Sequence, residues 1–242
     1  MDAQRQERLR LAELSDPFDP DRSDLEVYVD IAREVGARSV LDVGCGTGSF
    51  ALMLVTEGIE VTAVDPDDGA ITVAKRKSGA ERVRWIVGDA ESLPPLQVDL
   101  ATMTANVAQV FVTDEAWLGT LRGIRGALRP GGRLVFETRD PDRRAWEDWA
   151  TDDARETVEV PDIGPVETWL EILEVAPPLV SFRFTNLFAS DGSTIVSDST
   201  LRWRSREEVE ASLAVAGFSV DEIRDAPDRP GREFVFLATR RE

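Results

Sequence analysis

Histidine is absent from all 242 residues, and cysteine and tyrosine occur once each. Without imidazole there is no histidine-ligated zinc site and no serine–histidine–aspartate triad. Proton transfer falls to Asp, Glu, Lys, Cys45 or Tyr28, which favours an acceptor that needs little help in losing a proton, such as an amine; a hydroxyl activated by a carboxylate stays open. A lone cysteine cannot close an internal disulfide, so a reducing, cytoplasmic setting is expected. Basic residues are scarce: 28 Lys plus Arg stand against 46 Asp plus Glu, a formal net charge of -18. That balance opposes phosphate backbones and anionic bilayers, and neither a nucleic acid nor a membrane is an expected partner. No apolar run is long enough to span a bilayer, and Met1 to Arg8 have no apolar core of a secretory leader. Internal repeats and low-complexity tracts are also missing. A length of 242 residues allows one or two domains, and 42% hydrophobic residues furnish a sizeable core.

What is present is a nucleotide-binding pattern. Val40-Leu41-Asp42-Val43 reads as a buried strand that runs into Gly44-Cys45-Gly46-Thr47-Gly48 and then into the helical Ser49-Phe50-Ala51-Leu52-Met53-Leu54-Val55, with Gly58 as its C-cap. Alternate glycines let the backbone turn sharply and approach a ligand. A second strand, Glu60 to Val64, delivers Asp65 about 20 residues past the first glycine, where an acid reaches ribose hydroxyls. The dinucleotide fingerprint needs a third glycine one position later than this chain provides, and Asp42 beside a pyrophosphate would be repulsive. A nucleoside joined to a cation suits an acidic turn better, and S-adenosylmethionine has that chemistry.

These residues closely resemble the first motif of class I S-adenosylmethionine-dependent methyltransferases, and three further segments follow in that family's order. Asp65 is similar to its ribose-binding acid. Val87-Gly88-Asp89-Ala90-Glu91-Ser92-Leu93-Pro94 resembles its adenine-side motif, and Leu128-Arg129-Pro130-Gly131-Gly132-Arg133-Leu134-Val135-Phe136 resembles the turn and fifth strand. The resemblance covers about residues 23 to 140 and resumes near 205. It implies a Rossmann-like α/β fold: a mostly parallel seven-stranded sheet flanked by helices, here with an inserted antiparallel β cap. It also implies S-adenosylmethionine as cofactor, contacted by Asp42, Gly44, Cys45, Gly46, Asp65, Pro66, Asp89, Ala90, Thr104 and Asn106. No metal is implied. The reaction it implies is in-line methyl transfer to nitrogen or oxygen of a small molecule, by a monomer or homodimer. A non-catalytic S-adenosylmethionine-binding protein, transfer of another part of the cofactor, and a nicotinamide-dependent oxidoreductase are the alternatives.

Several residues carry two readings. Asp42 either holds the glycine turn together or meets the methionine end of the ligand, and Cys45 reads as a small turn filler. Asn106 and Gln109, just past the fourth strand, are candidate catalytic or acceptor contacts, or else loop hydrogen-bonders. Tyr28 either packs in the core or covers the methionine end.

Four segments are expected. Residues 1–22 form a mobile arm, helical and charged at first but interrupted by Pro17 and Pro20. Residues 23–154 form the cofactor-binding core, beginning with a helix whose Ser23-Asp24-Leu25-Glu26 has capping-box spacing. Residues 155–204 form the cap, in which strands 167–175, 180–188 and 195–203 alternate and Phe182, Phe184 and Phe188 share a face. Residues 205–242 complete the core, starting from a second capping box at Ser205 to Glu208. Arm, cap, Asn106 and Gln109 are expected to enclose the acceptor.

Overall fold

The computed structural model describes residues 3–149 and 155–242. In chain order the helices α1 (Ala3–Phe18) and α2 (Glu26–Glu34) lead into β1 (Ser39–Val43), α3 (Ser49–Thr56), β2 (Glu60–Asp65), α4 (Asp68–Ala74), β3 (Val83–Val87) and β4 (Val98–Met103). Then come α5 (Asp114–Ala127), β5 (Leu128–Arg139) and the short α6 (Trp146–Trp149). A second set of strands follows: β6 (Glu156–Val160), β7 (Gly164–Ala176), β8 (Leu179–Phe188) and β9 (Thr194–Arg202). The chain ends with α7 (Arg206–Val215), β10 (Phe218–Asp225) and β11 (Glu233–Arg240).

Strands β10-β11-β5-β4-β1-β2-β3 make one seven-stranded sheet in that order, and β6-β7-β8-β9 make a separate antiparallel sheet. Only β11 runs against its neighbours in the large sheet, pairing antiparallel with both β5 and β10. Strands buried on both faces are largely apolar, as β1 and β4 are apart from the buried Asp42 and Thr102: Val40, Leu41, Leu100, Ala101 and Met103 are fully shielded. One apolar cluster, with Trp117, Leu121 and Ile124 of α5 and Leu213 of α7, packs on one face of the sheet. The other, with Ile31 of α2 and Leu54 of α3, packs on the opposite face. The strand order reverses between β1 and β4, and ligands of open α/β sheets bind in the crevice at that point.

The second capping box is present in full: Ser205 Oγ accepts from Glu208 N–H and Glu208 accepts from Ser205 N–H. The first is not. Residues Ser23–Leu25 make a 3-10 turn, and α2 begins at Glu26 with no side-chain cap. Asp24 is instead clasped by Arg22, and Ser23 N–H donates to Asp21. The arm also differs from expectation. Its helix runs through Pro17 to Phe18 and lies against α4, where a Cβ on Gly69 would sit 2.8 Å from the Arg8 backbone. Leu14 is buried with Val160, Val166, Phe188 and Ile195, so α1 bridges the large sheet's helices and the antiparallel sheet. Strand β6, unanticipated in the sequence, pairs with β7. The expected division between core and cap falls at 154/155, beside residues 150–154, outside the described residues.

Candidate active site

The C-terminal ends of β1 and β2 and the loops after β3 and β4 enclose a cleft of about 350 Å³. Its lining includes five residues expected to contact the cofactor: Gly44, Asp65, Pro66, Asp89 and Ala90. Val43, Val64, Val107, Val110 and Phe111 supply an apolar wall. Asp65 is held rigidly: one carboxylate oxygen accepts Gly46 N–H at 2.8 Å and the other accepts Asp67 N–H at 2.8 Å. Each oxygen keeps a lone pair for a ligand hydroxyl. Burial pushes the Asp65 pKa up, against the lowering effect of those two amides. Asp89 folds its own loop, with Oδ1 taking the amides of Glu91 and Ser92 and the Ser92 hydroxyl.

The three glycines of the turn do different things. A Cβ on Gly44 would meet Val107 at 2.6 Å, and one on Gly48 would meet Trp85 at 2.3 Å, so these two positions are set by packing. Gly46, at φ +53, opens on free space with no atom within 4 Å. A ligand can therefore approach the backbone there. Asp42 lies behind the turn, buried, with Oδ1 accepting from Thr102 Oγ1 at 3.1 Å and Oδ2 without a partner. Desolvation raises its pKa to about 7, with Asp65 adding to the effect and the Thr102 hydrogen bond opposing it. A cation placed near it would relieve the orphaned oxygen. Burial, with Asp42 and Asp65 nearby, also pushes the Cys45 thiol up, which fits a turn filler and not a nucleophile. Neither Asp42, Cys45, Gly46 nor Thr104 lines this first cleft.

The loop after β4 separates it from a second, polar cleft of about 200 Å³: Val107, Val110 and Phe111 line the first, whereas Ala105 and Asn106 line the second. Both Ala105 (φ 56) and Asn106 (φ 60) are left-handed, and two such non-glycine residues in succession mark strain stored at a site. Tyr28 lines the second cleft with its ring packed edge-on to Phe50, 6.3 Å between centroids. Asn106 donates its side-chain N–H to Glu233 at 3.3 Å, and its backbone N–H to Glu137 at 2.9 Å. Gln109 is fully buried, accepts from Arg139 at 2.9 Å, and lines neither cleft. Glu137, Arg139 and Glu233 were not anticipated in the sequence. A signal existed: Glu137 continues the apolar Leu134-Val135-Phe136, and a carboxylate in a buried strand is costly unless it has a task. In the antiparallel sheet Phe188 is buried in the cluster with Leu14, Phe182 is buried edge-on to Trp149, and Phe184 packs on Phe182 but is itself exposed.

Residues 40–132 match a family described as "Methyltransferase domain". Over those residues the chain is similar to a methyltransferase domain. Over 118 residues it is 32% identical to the cypemycin N-terminal methyltransferase of a Streptomyces species, covering 48% of each chain. The chain spans about half the length of that curated relative. Among solved structures, an S-adenosylmethionine-dependent methyltransferase from Clostridium acetobutylicum superposes with a TM-score of 0.79 at 16% identity, covering 96% of this chain and 98% of that one. A sugar N-methyltransferase from a Streptoalloteichus species superposes at 0.74 with 23% identity, covering 91% and 88%. At these identities the likeness bears on fold, and it extends the methyltransferase architecture through the antiparallel sheet to β11. No helix among the described residues is long and apolar enough to cross a membrane.

Proposed function

We propose that this protein is an S-adenosylmethionine-dependent methyltransferase acting on nitrogen or oxygen of a small-molecule acceptor. The observation that carries the reading is the convergence of Gly44, Asp65, Pro66, Asp89 and Ala90 on one 350 Å³ cleft at the reversal of strand order. The parallel core holds the donor: Asp65 takes the ribose hydroxyls, Asp89 and the Ala90 amide meet the adenine edge, Gly46 gives room at the turn, and Asp42, buried behind the turn, attracts the cationic end through its charge. When bound, the donor supplies a methyl group on a sulfonium. The protein's part is then to align acceptor and methyl and to exclude water, which needs no metal. Asp19 and Arg22 at the end of the arm line the second, polar cleft, which is assigned to the acceptor, and the net charge of -18 argues against a nucleic-acid substrate. A cytoplasmic protein, monomeric or homodimeric, fits this chemistry.

Calorimetric titration with S-adenosylmethionine tests the reading, with a nicotinamide dinucleotide titrated in parallel. Micromolar binding of the former alone is expected; tighter binding of the dinucleotide would overturn it. Conversion to S-adenosylhomocysteine with a metabolite extract separates an enzyme from a non-catalytic binder. Asp89 makes a finer prediction. A carboxylate accepts from the adenine amine but not from a hypoxanthine carbonyl, so the deaminated donor should bind at least about tenfold more weakly. The Asp89→Asn variant should narrow that gap, and equal affinities in the parent protein would remove Asp89 from the adenine site.

Asp42 adds a pH dependence. A cationic donor binds the ionised carboxylate better, so affinity should be full above pH 7 and fall, by at most about tenfold per unit, as Asp42 gains its proton below it. The Asp42→Asn variant should bind more weakly at pH 8 and lose most of the slope. Dissociation constants measured from pH 5.5 to 8.5 decide this, and an unchanged slope in the variant would assign the titration to another group, Asp65 first.

A further inference from the structure

The second cleft contains more acid than base, and its cations are already matched. Arg22 is paired with Asp24 at 3.1 Å and Asp19 at 3.5 Å, and Arg229 with Glu233 at 2.7 Å and Asp228 at 3.5 Å. Arg139 lies 3.5 Å from Glu233. Among the described residues no cation is within ion-pair distance of Glu137, whose Oε1 accepts the Asn106 amide and whose Oε2 is buried without a partner. One other side-chain atom lining this cleft is buried and unpartnered: Asn106 Oδ1. Both are acceptors. The Asn106 amide orientation is fixed by its N–H group donating to both oxygens of Glu233. Buried acceptors left without donors call for a ligand that brings N–H groups, and a carboxylate-bearing or phosphorylated ligand would meet repulsion. An ammonium has several donors and no acceptor, where a hydroxyl has one donor.

Resting on the methyl-transfer reading above, we propose that the acceptor binds in this second cleft as a small primary or secondary ammonium ion and that Glu137 Oε2 is the base that takes its proton. The position suits the task. Glu137 stands on β5 beside β4, and its Oε1 accepts from the strained turn at Ala105 and Asn106 that divides the two clefts, so a nitrogen held at Oε2 lies beside that dividing turn. The base strength suits it too. Burial raises the Glu137 pKa to about 8, with the Asn106 and, more weakly, the Ala105 backbone amides opposing and Glu233 and Asp228 adding to the rise. A carboxylate tuned to that range is a far better base toward an ammonium than an ordinary glutamate. The other ionisable groups facing the cleft are Tyr28 on α2 and the three paired arginines with their carboxylates.

The ammonium passes one proton to Glu137, its freed lone pair forms the carbon–nitrogen bond to the methyl group, and the carbon–sulfur bonding pair leaves with sulfur as a neutral thioether. The methylated nitrogen carries the positive charge, and Glu137 afterwards loses its proton to solvent through the cleft mouth.

The first test needs no turnover. In protein labelled with carboxyl-13C glutamate, titration from pH 5 to 10 should show one carboxyl with a midpoint near 8 that is missing from Glu137→Gln. Methylammonium chloride at 100 mM should lower that midpoint by at least half a unit relative to sodium chloride, because a bound cation favours the ionised form. A midpoint below 6, or no response to methylammonium, overturns the proposal. The second test offers labelled methyl donor with a pool of small amines and their matching alcohols. Label should enter the amines, and Glu137→Gln should cut kcat at least 100-fold with the dissociation constant for S-adenosylmethionine within threefold. The variant's rate should climb with pH toward the amine's own pKa, whereas the parent levels off above pH 8; a merely structural role would not give that split. Label in the alcohols or in neither set, or an unaltered kcat, overturns it. Failure of the cofactor titration itself would instead overturn the methyltransferase reading.

Discussion

Gly46→Val is expected to abolish measurable binding of S-adenosylmethionine while leaving a folded protein, and Asp65→Ala is expected to weaken binding by roughly 10- to 150-fold. The first expectation follows from where the new side chain would go. No protein atom lies within 4 Å of an added Cβ at Gly46, so nothing in the core must move. The backbone cost of a left-handed φ of +53 is about 1–2 kcal/mol for a single residue, and more for a β-branched one. The isopropyl group would instead fill the space through which a ligand reaches the turn. Asp65 acts differently. Losing two charge-assisted hydrogen bonds to ribose costs about 1.5–3 kcal/mol of binding, the basis of the fold-change given. Alanine there also releases Gly46 N–H and Asp67 N–H, so part of the loss comes from a looser turn. Asp65→Asn, which keeps an acceptor, should fall between parent and alanine. The two sites share a hydrogen bond, so the double variant should lose less than the product of the single losses. Calorimetry alongside near-ultraviolet circular dichroism checks both. Parent-like dissociation constants in folded Gly46→Val would put the ligand elsewhere.

The first cleft was legible in the sequence because each of its parts is local. A parallel strand, its turn and the next helix are contiguous in the chain, and strand ends in an open sheet share one rim. Gly44, Asp65 and Asp89 each end a strand or follow one, so reading three strands was enough to gather them. The second cleft was not legible. Glu137 and Arg139 on β5 meet Glu233 on β11 through an antiparallel register, Arg139 opposite Glu233, that no local pattern encodes. The loop of Asp89 and Ala90 also depends on a remote fit: Gly123 of α5 lies so close that a Cβ would be 2.0 Å from the Ala90 carbonyl. Pro17 misled in another way. Proline costs a helix one hydrogen bond, but Leu14 and Phe18 bury their side chains against the antiparallel sheet, and that packing carries the helix through its last turn. Ser23 has the right neighbours for a capping box but sits in a 3-10 turn steered by Arg22 and Asp24. Strand β6, five residues reading Glu156-Thr157-Val158-Glu159-Val160 without strict alternation, gives too short a signal to separate from a loop.

Deleting residues 1–18 should destabilise the protein by about 3–5 kcal/mol and weaken donor binding several-fold, a broader effect than that of a lid acting on turnover alone. The stability loss has a clear source. Leu14 leaves a cluster with Val160, Val166, Phe188 and Ile195, and burial of one leucine is worth about 2–3 kcal/mol. Arg10 leaves the face of Phe188, 3.8 Å from its centroid, and Leu11 and Phe18 lose partial burial. The ion pairs of Arg5 and Arg8 with Asp68 and of Arg76 with Glu13 are exposed and add little. The binding loss follows from Asp16. Its Oδ1 accepts from Thr47 Oγ1 at 2.8 Å and from Ser49 Oγ at 3.3 Å, and Lys77 Nζ lies 2.7 Å from Oδ2. The helix is therefore strapped to the glycine turn and to the first residue of α3. Asp16→Ala isolates that strap from the apolar packing: it should reduce donor affinity about fivefold with a melting temperature within a few degrees of the parent, whereas the deletion should lower it by about 10 °C. If the deletion variant binds S-adenosylmethionine as the parent does and loses only turnover, α1 guards the acceptor and the contacts of Asp16 are incidental. If Asp16→Ala alone reproduces the affinity loss of the deletion, the N-terminal helix serves the donor site through that one carboxylate.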